Sequence, residues 1–113
     1  MNELEQQLLQ ETTGGAEPRL VVRTRTCIDT GRWWRRTPVW LCIMADELLM
    51  LAVSRRRYVA RMPLDVCTGT HYCHTTGELV VEPGEKLTYN RFRVTPREAL
   101  ELLRAMGVPQ TDG

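Results

Sequence analysis

The segment at residues 95–107, TPREALELLRAMG, constrains the fold of this chain more than any other. Thr95 and Glu98 have the spacing of a capping box, with Pro96 at the first helical position between them. Gly107 is suited to a left-handed stop. The intervening apolar residues lie on one helical face, at Ala99, Leu102, Leu103 and Met106. A helix this short needs a surface to pack against, so the sequence predicts a C-terminal helix docked on the rest of the chain.

Most of the chain before this helix is predicted to be β-structure. Its strand-like runs are residues 19–28, 39–44, 48–53, 57–62, 66–74, 78–82 and 87–94. Short turns join these seven runs, so neighbouring strands are expected to be antiparallel. The sequence therefore predicts a mainly β domain closed by one C-terminal helix.

Two of these segments leave alternatives open. Residues 39–44 are apolar on both faces, which predicts a strand that is either central or covered on its outside. Residues 45–57 could form a helix capped by Asp46, or a turn at Asp46-Glu47 followed by a strand. Periodicity does not separate the two, because the run is apolar throughout.

The N-terminal segment is predicted to be an arm. Residues 1–11 can form a short helix with Leu4, Leu8 and Leu9 on one side, and residues 12–18, TTGGAEP, are typical of a linker. Such an arm could pack on its own domain, exchange with a partner copy, or fray.

Length and charge set broad limits. A chain of 113 residues is sufficient for one domain with a single core. The net charge of +1 conceals an asymmetry: the first 18 residues hold four Glu and no basic residue, whereas residues 19–113 carry a net charge of +5. All basic residues except Lys86 are Arg, which favours bidentate contact with phosphate or carboxylate. A GC-rich coding sequence would explain the same excess.

The expected compartment is the cytoplasm. The N-terminus is acidic and polar, without the basic start and apolar core of a signal peptide. The longest apolar stretch, residues 38–53, is interrupted by Asp46-Glu47 and is too short to span a bilayer. Free thiols are therefore expected at all four cysteines, Cys27, Cys42, Cys67 and Cys73.

Several short motifs resemble the bacterial pleckstrin-homology-like (PH-like) family. They are MADELLML at residues 44–51, Met62-Pro63-Leu64-Asp65-Val66, Gly77-Glu78-Leu79 and the EALELL body of the last helix. Ala45 departs from the Thr usual in that family. The resemblance implies a seven-stranded, bent and partly open antiparallel barrel closed by one C-terminal helix, with strands at residues 45–57. It also implies a binding module, and it transfers no catalytic residue.

The sequence divides into an arm and linker at residues 1–18, a domain at residues 19–109 that resembles the PH-like family, and a tail at residues 110–113 that is expected to be disordered. The basic loops of such a domain would gather at its open end, where related domains bind phosphoinositides. The candidate anion- or lipid-binding residues are Arg32, Arg35, Arg36, Arg55, Arg56, Arg57 and Lys86. A solvated basic surface would have the same composition.

Protein–protein contact is the other candidate. The aromatic residues Trp33, Trp34 and Trp40, together with the two apolar faces of residues 39–44, are more than one barrel interior requires. They predict an interface, with self-association as its simplest form. The alternative is that the N-terminal arm covers this surface within the same chain.

Other functions lack the required motifs. Cys67, His71, Cys73 and His74 include metal-ligand types, but they have no paired Cys-x-x-Cys spacing, so no metal is expected. No catalytic triad, phosphate loop or cofactor motif is found. Nucleic-acid binding is not expected, because no aromatic stacking platform accompanies the basic residues. The sequence therefore predicts a non-enzymatic interaction module, with anionic lipid or phosphate binding as the alternative.

Overall fold

The computed structural model describes residues 1–29, 36–54, 57–85 and 87–108. Two α-helices and seven strands lie in these ranges. In chain order they are α1 (Glu3–Thr13), β1 (Leu20–Asp29), β2 (Arg36–Ile43), β3 (Glu47–Val53), β4 (Arg57–Pro63), β5 (His71–Cys73), β6 (Glu78–Val80), β7 (Arg91–Arg93) and α2 (Pro96–Met106).

The strands form two antiparallel sheets, a four-stranded sheet in the order β1-β2-β3-β4 and a three-stranded sheet in the order β5-β6-β7. The seven strands and the C-terminal helix predicted from the sequence are confirmed. A continuous barrel is not confirmed, because within the described residues the strands pair as two separate sheets. One hydrogen bond between the sheets runs from the Arg93 amide to Thr26 Oγ1, at 2.7 Å.

The core lies between the inner faces of the two sheets and is closed by α2. Large side chains from both sheets are fully buried there, including Leu41, Met50 and Phe92, and Leu102 of α2 joins them. The predicted helix ends are confirmed. Glu98 N–H donates to Thr95 Oγ1 at 3.2 Å, and Thr95 N–H donates to Glu98 Oε1 at 2.9 Å. At the other end Gly107 is left-handed, with φ 73°.

The ambiguous residues 45–57 form strands. Met44 N–H donates to the Glu47 carbonyl at 2.8 Å, which closes the predicted turn at Asp46-Glu47. In β3, the five residues from Leu48 to Ala52 are all buried, since one face meets the core and the other is covered by α1. The apolar run therefore belongs to a strand buried on both sides.

The predicted strand at residues 66–74 is wrong for its first half. Leu64–Val66 is a 3₁₀ turn. The Cys67 amide then donates to the Leu64 carbonyl at 3.1 Å, and the Thr70 amide to the Cys67 carbonyl at 3.0 Å, so the chain turns twice before β5. The predicted run at residues 87–94 is likewise shorter, because only Arg91–Arg93 pair as a strand.

The N-terminal helix extends two residues beyond the predicted residue 11. The Thr12 and Thr13 hydroxyls donate to the Leu8 and Leu9 carbonyls, at 2.7 and 2.8 Å, so both side chains are hydrogen-bonded within the last turn. Gly14, with φ 67°, then ends the helix. Within the described residues, neither helix has the length and apolar character needed to cross a membrane.

Candidate protein-interaction surface

The side of the four-stranded sheet that faces away from the core is apolar, and we call it the outer face. Alternation and register align its residues in cross-strand rows. One row runs from Val21 through Cys42 to Leu49, and the next contains Trp40 and Leu51. Met44 and Val53 complete the outer face. An apolar surface on both sides of β2 and β3 is what the sequence predicts, and it must be covered by something.

The cover is α1. Leu8 and Leu9 pack on the outer face and are buried, with 5% and 9% of their surface exposed. Leu4 lies on the same helix and is 57% exposed. Of the three placements open to the arm, the structure therefore shows the first, in which it packs on its own domain. This cis packing accounts for the apolar surplus that the sequence analysis assigned to an interface.

Within the described ranges, a polar contact joins each end of α1 to the sheet. Near the N-terminal end, Glu5 is buried, with 7% of its surface exposed; its Oε1 accepts the backbone N–H of Asn2 at 3.0 Å, and its Oε2 accepts the Trp40 indole N–H. Near the C-terminal end, Glu11 Oε2 pairs with Arg57 Nη1 at 2.9 Å. The helix therefore crosses the sheet from β2 towards β4, over β3.

The charges on the two sides of this contact are complementary. The charged side chains of α1 are all acidic: Glu3, Glu5 and Glu11. The outward positions of the flanking strands carry Arg23, Arg57 and Arg61. Arg61 is paired with Glu47, at 2.6 Å, so its charge is partly neutralised within the sheet. The outer face is thus an apolar surface with a basic rim, matched to an acidic amphipathic helix.

Trp40 lies at the edge of this contact, beside an open cleft of about 410 Å³. The cleft is lined by the N-terminal residues up to the first turn of α1 and by the first three strands, with Met1, Asn2, Glu5, Arg23, Thr37, Pro38, Trp40 and Val53 on its walls. Trp40 is half-buried, so of the predicted interface residues it is the one that the structure places on the outer face.

The remaining predicted interface residues, Trp33 and Trp34, lie outside the described residues. The same holds for most of the predicted anion-binding set: Arg32, Arg35, Arg55, Arg56, Lys86 and the side chain of Arg36. Arg57 is described, and its guanidinium is paired with Glu11 of α1. The structure therefore assigns Arg57 to the contact between α1 and the sheet.

The four cysteines are free thiols in different environments. Burial under α1 raises the pKa of Cys42 to about 12. Burial also raises the pKa of Cys67, with a smaller contribution from the Asp65 charge. The pKa of Cys73 is lowered, chiefly by a hydrogen bond from the Thr76 side chain. No group of three or more metal-ligating side chains occurs in the described part of the chain.

Sequence reasoning missed the partners of Glu5 and Glu11. Glu5 meets Trp40 across 35 residues of chain, and Glu11 meets Arg57 across 46. The available signal was the arm's charge: three Glu and no basic residue around Leu8-Leu9, against an Arg-rich remainder. That pattern is what a helix docked on a basic-rimmed surface requires.

Comparison of the chain with protein-family models, characterised proteins and solved structures found no match.

Proposed function

We propose that this chain is a non-enzymatic interaction module of PH-like architecture, and that it works by protein–protein contact with a second copy of itself. The architectural part is supported by the element order, seven strands followed by a C-terminal helix, and by the PH-like motifs along the chain. The four- and three-stranded sheets would be the two halves of the bent, partly open barrel of that family.

One observation carries the proposal of protein contact: the apolar outer face is shielded by an 11-residue helix. Helices of this length are marginal in water without tertiary packing. Among the described residues, α1 is held on the sheet by Leu8, Leu9 and the contacts of Glu5 and Glu11, and short segments of this kind open locally at lower free energy than the whole domain unfolds. When α1 leaves, the face is free for a partner.

The complementarity between α1 and the outer face favours a second copy as that partner. Each copy carries both halves of a contact in which leucines fill an apolar surface and carboxylates meet Trp40 and Arg57. Two-fold self-association reuses one self-complementary pair of surfaces on both partners. No additional recognition element is needed.

Static light scattering over a concentration series tests the proposal. We expect the wild-type chain to shift from monomer to dimer as concentration rises. Two populations labelled with donor and acceptor dyes should then exchange subunits, which energy transfer detects. Because a copy reaches the outer face only after α1 leaves it, Leu8→Ala should speed this exchange by about tenfold or more, since it removes a buried anchor.

Leu4→Ala is the matched control. It shortens the same type of side chain on the same helix, at an exposed position, and it should leave the exchange rate unchanged. A chain that stays monomeric at every concentration would contradict self-association. Equal exchange rates for Leu8→Ala and Leu4→Ala would mean that the association uses another surface.

Peripheral binding of anionic lipid or a phosphate ligand is the alternative function. Its support is the net charge of +5 in residues 19–113 and the Arg-rich segments of the sequence. The Arg57 guanidinium of that set is already paired with a carboxylate. We therefore place this alternative second.

A further inference from the structure

We infer that two copies associate by exchanging α1, so that the helix of each copy docks on the outer face of the other. This inference rests on the proposed self-association and specifies its mechanism. The exchanged form keeps every contact that α1 makes in the closed monomer, including Leu8 and Leu9 on the outer face, Glu5 with Trp40, and Glu11 with Arg57. It changes only the segment that joins α1 to β1.

That segment, residues 14–19, has the features of a hinge. Gly14 and Gly15 are both left-handed, with φ of 67° and 90°, and they turn the chain so that α1 folds back on its own sheet. A Cβ atom added at either glycine would have no heavy atom within 4 Å, so the turn is not packed against the domain. The chain is tied down again at Arg19, whose amide donates to the Ile43 carbonyl at 2.7 Å.

Closed and exchanged forms therefore differ in hinge conformation and in concentration dependence. In the closed monomer the short hinge holds α1 at a high effective concentration over its own face. In the exchanged dimer Gly14 still ends α1, but the chain beyond it is extended, so Gly15 no longer needs positive φ. Exchange of an identical element through a short hinge is a low-cost route to dimers when the docking contacts are unchanged.

The first test acts on the hinge. In Gly15→Ala, an alanine at positive φ disfavours the closed turn by backbone strain alone, because space for the Cβ is free. Each dimer relieves two hinges, so its dissociation constant should fall by about tenfold or more in light scattering. Gly107→Ala is the matched control: Gly107 has φ 73° and free space as well, but ends α2. It should leave the dissociation constant unchanged.

The second test reverses the Glu11–Arg57 ion pair. Glu11→Arg and Arg57→Glu each place like charges between α1 and the outer face, in the closed monomer and in the homodimer alike. After mixing, an exchanged heterodimer restores both pairs. Random pairing of the two variants would make half of all dimers heterodimers. Native mass spectrometry should find a larger fraction, with the heterodimer favoured severalfold over the homodimers. The preference is no larger because each exposed ion pair contributes modestly to stability.

The control for the second test uses an ion pair within one sheet. Arg91 and Glu78 pair at 3.6 Å between neighbouring strands of the same copy. When the Glu78→Arg and Arg91→Glu variants are mixed, exchange of α1 cannot restore the Glu78–Arg91 pair. The heterodimer should therefore make up the half of all dimers that random pairing gives.

These outcomes distinguish a failure of the α1 exchange from a failure of the proposed self-association. If the wild type and every variant stay monomeric, self-association itself is contradicted. If dimers form but the hinge variant leaves the dissociation constant unchanged, or the charge-reversed mixture stays statistical, self-association stands and the exchange of α1 is overturned.

Discussion

At the scale of single residues, the contact of α1 with the sheet depends on a buried carboxylate. Both oxygens of Glu5 accept hydrogen bonds, one from the helix start and one from Trp40. Hydrogen bonds to charged groups contribute about 1.5–3 kcal/mol each, and removing the acceptor leaves a partly buried indole N–H unsatisfied. A single side chain thus links capping of the helix to its docking.

We predict that Glu5→Ala weakens the docking of α1 by about 1–3 kcal/mol and leaves the rest of the domain folded. Hydrogen exchange of the α1 amides should accelerate accordingly, while the amides of β2 and β3 stay protected. Glu3→Ala is the control, since Glu3 lies in the same first turn and is exposed. Similar acceleration in both variants would contradict a docking role for Glu5.

A second prediction at this scale is that Cys42 makes the free energy of unfolding depend on pH. Its pKa is raised from 9.0 to about 12 because the thiolate would be buried under α1. Below about pH 9 the thiol is protonated in the folded and unfolded chains alike, so it adds no pH dependence. Between pH 9 and about 12 only the unfolded chain ionises, so the free energy of unfolding should fall as pH rises, by up to about 1.4 kcal/mol per unit.

Denaturant unfolding at about pH 8 and about pH 10 measures this slope. Cys42→Ala removes the titrating group and should show a shallower decline than the wild type over the same interval. If both chains lose stability in parallel above about pH 9, the thiol of Cys42 is not buried as the structure has it.

At the scale of elements, the two helices cover different apolar surfaces of the domain. The apolar side of α2 completes the core, with Ala99, Leu102 and Met106 buried between the sheets. The apolar side of α1 covers the outer face, away from that core. Loss of α2 should therefore unfold the domain, whereas undocking of α1 should expose one face of a domain that stays folded.

We predict that Leu102→Ala lowers the free energy of unfolding by about 2–5 kcal/mol, because it leaves a cavity at a fully buried position. Leu100→Ala, on the same helix at 37% exposure, should cost less than about 1 kcal/mol. Chemical denaturation gives both values. A loss below about 1 kcal/mol for Leu102→Ala would contradict the placement of α2 in the core.

At the scale of the whole molecule, the two candidate functions differ in their response to salt. Self-association through an apolar face is driven mainly by burial of nonpolar surface, which salt does not screen. Lipid or phosphate binding through Arg side chains is electrostatic and weakens with ionic strength. The opposite charges of the arm and the rest of the chain add a modest salt-dependent contribution to self-association.

We predict that the dimer dissociation constant changes by less than about threefold between about 0.05 and about 0.5 M salt, measured by light scattering. Co-sedimentation with liposomes rich in acidic lipid is the contrasting measurement. Retention of the wild type at low salt, lost in an Arg35→Glu/Arg56→Glu variant that still dimerises, would support the lipid-binding alternative instead.

What the sequence determined by itself is local. The ends of α2 follow from Thr95, Glu98 and Gly107, whose caps use neighbours within a few residues. The inward and outward sides of β1 follow from alternation, whereas the residue pattern left helix and turn open at Asp46-Glu47. Where local bonding outweighed extension, in the 3₁₀ turn at Leu64–Val66 and the turn that follows it to Thr70, the first half of the strand predicted at residues 66–74 was wrong.

Only the tertiary structure decided what the apolar surplus meets. Residues 39–44 predict a strand that is either central or covered on its outside, and an arm packed on its own domain or exchanged with a partner copy would cover it equally. Packing of Leu8 and Leu9 on the outer face, and pairing of Glu5 with Trp40 and Glu11 with Arg57, join residues 35 and 46 positions apart. Periodicity reports which side of an element is apolar, because side-chain direction is local. It carries no information on which distant surface covers that side, since that depends on the relative energies of whole packed arrangements.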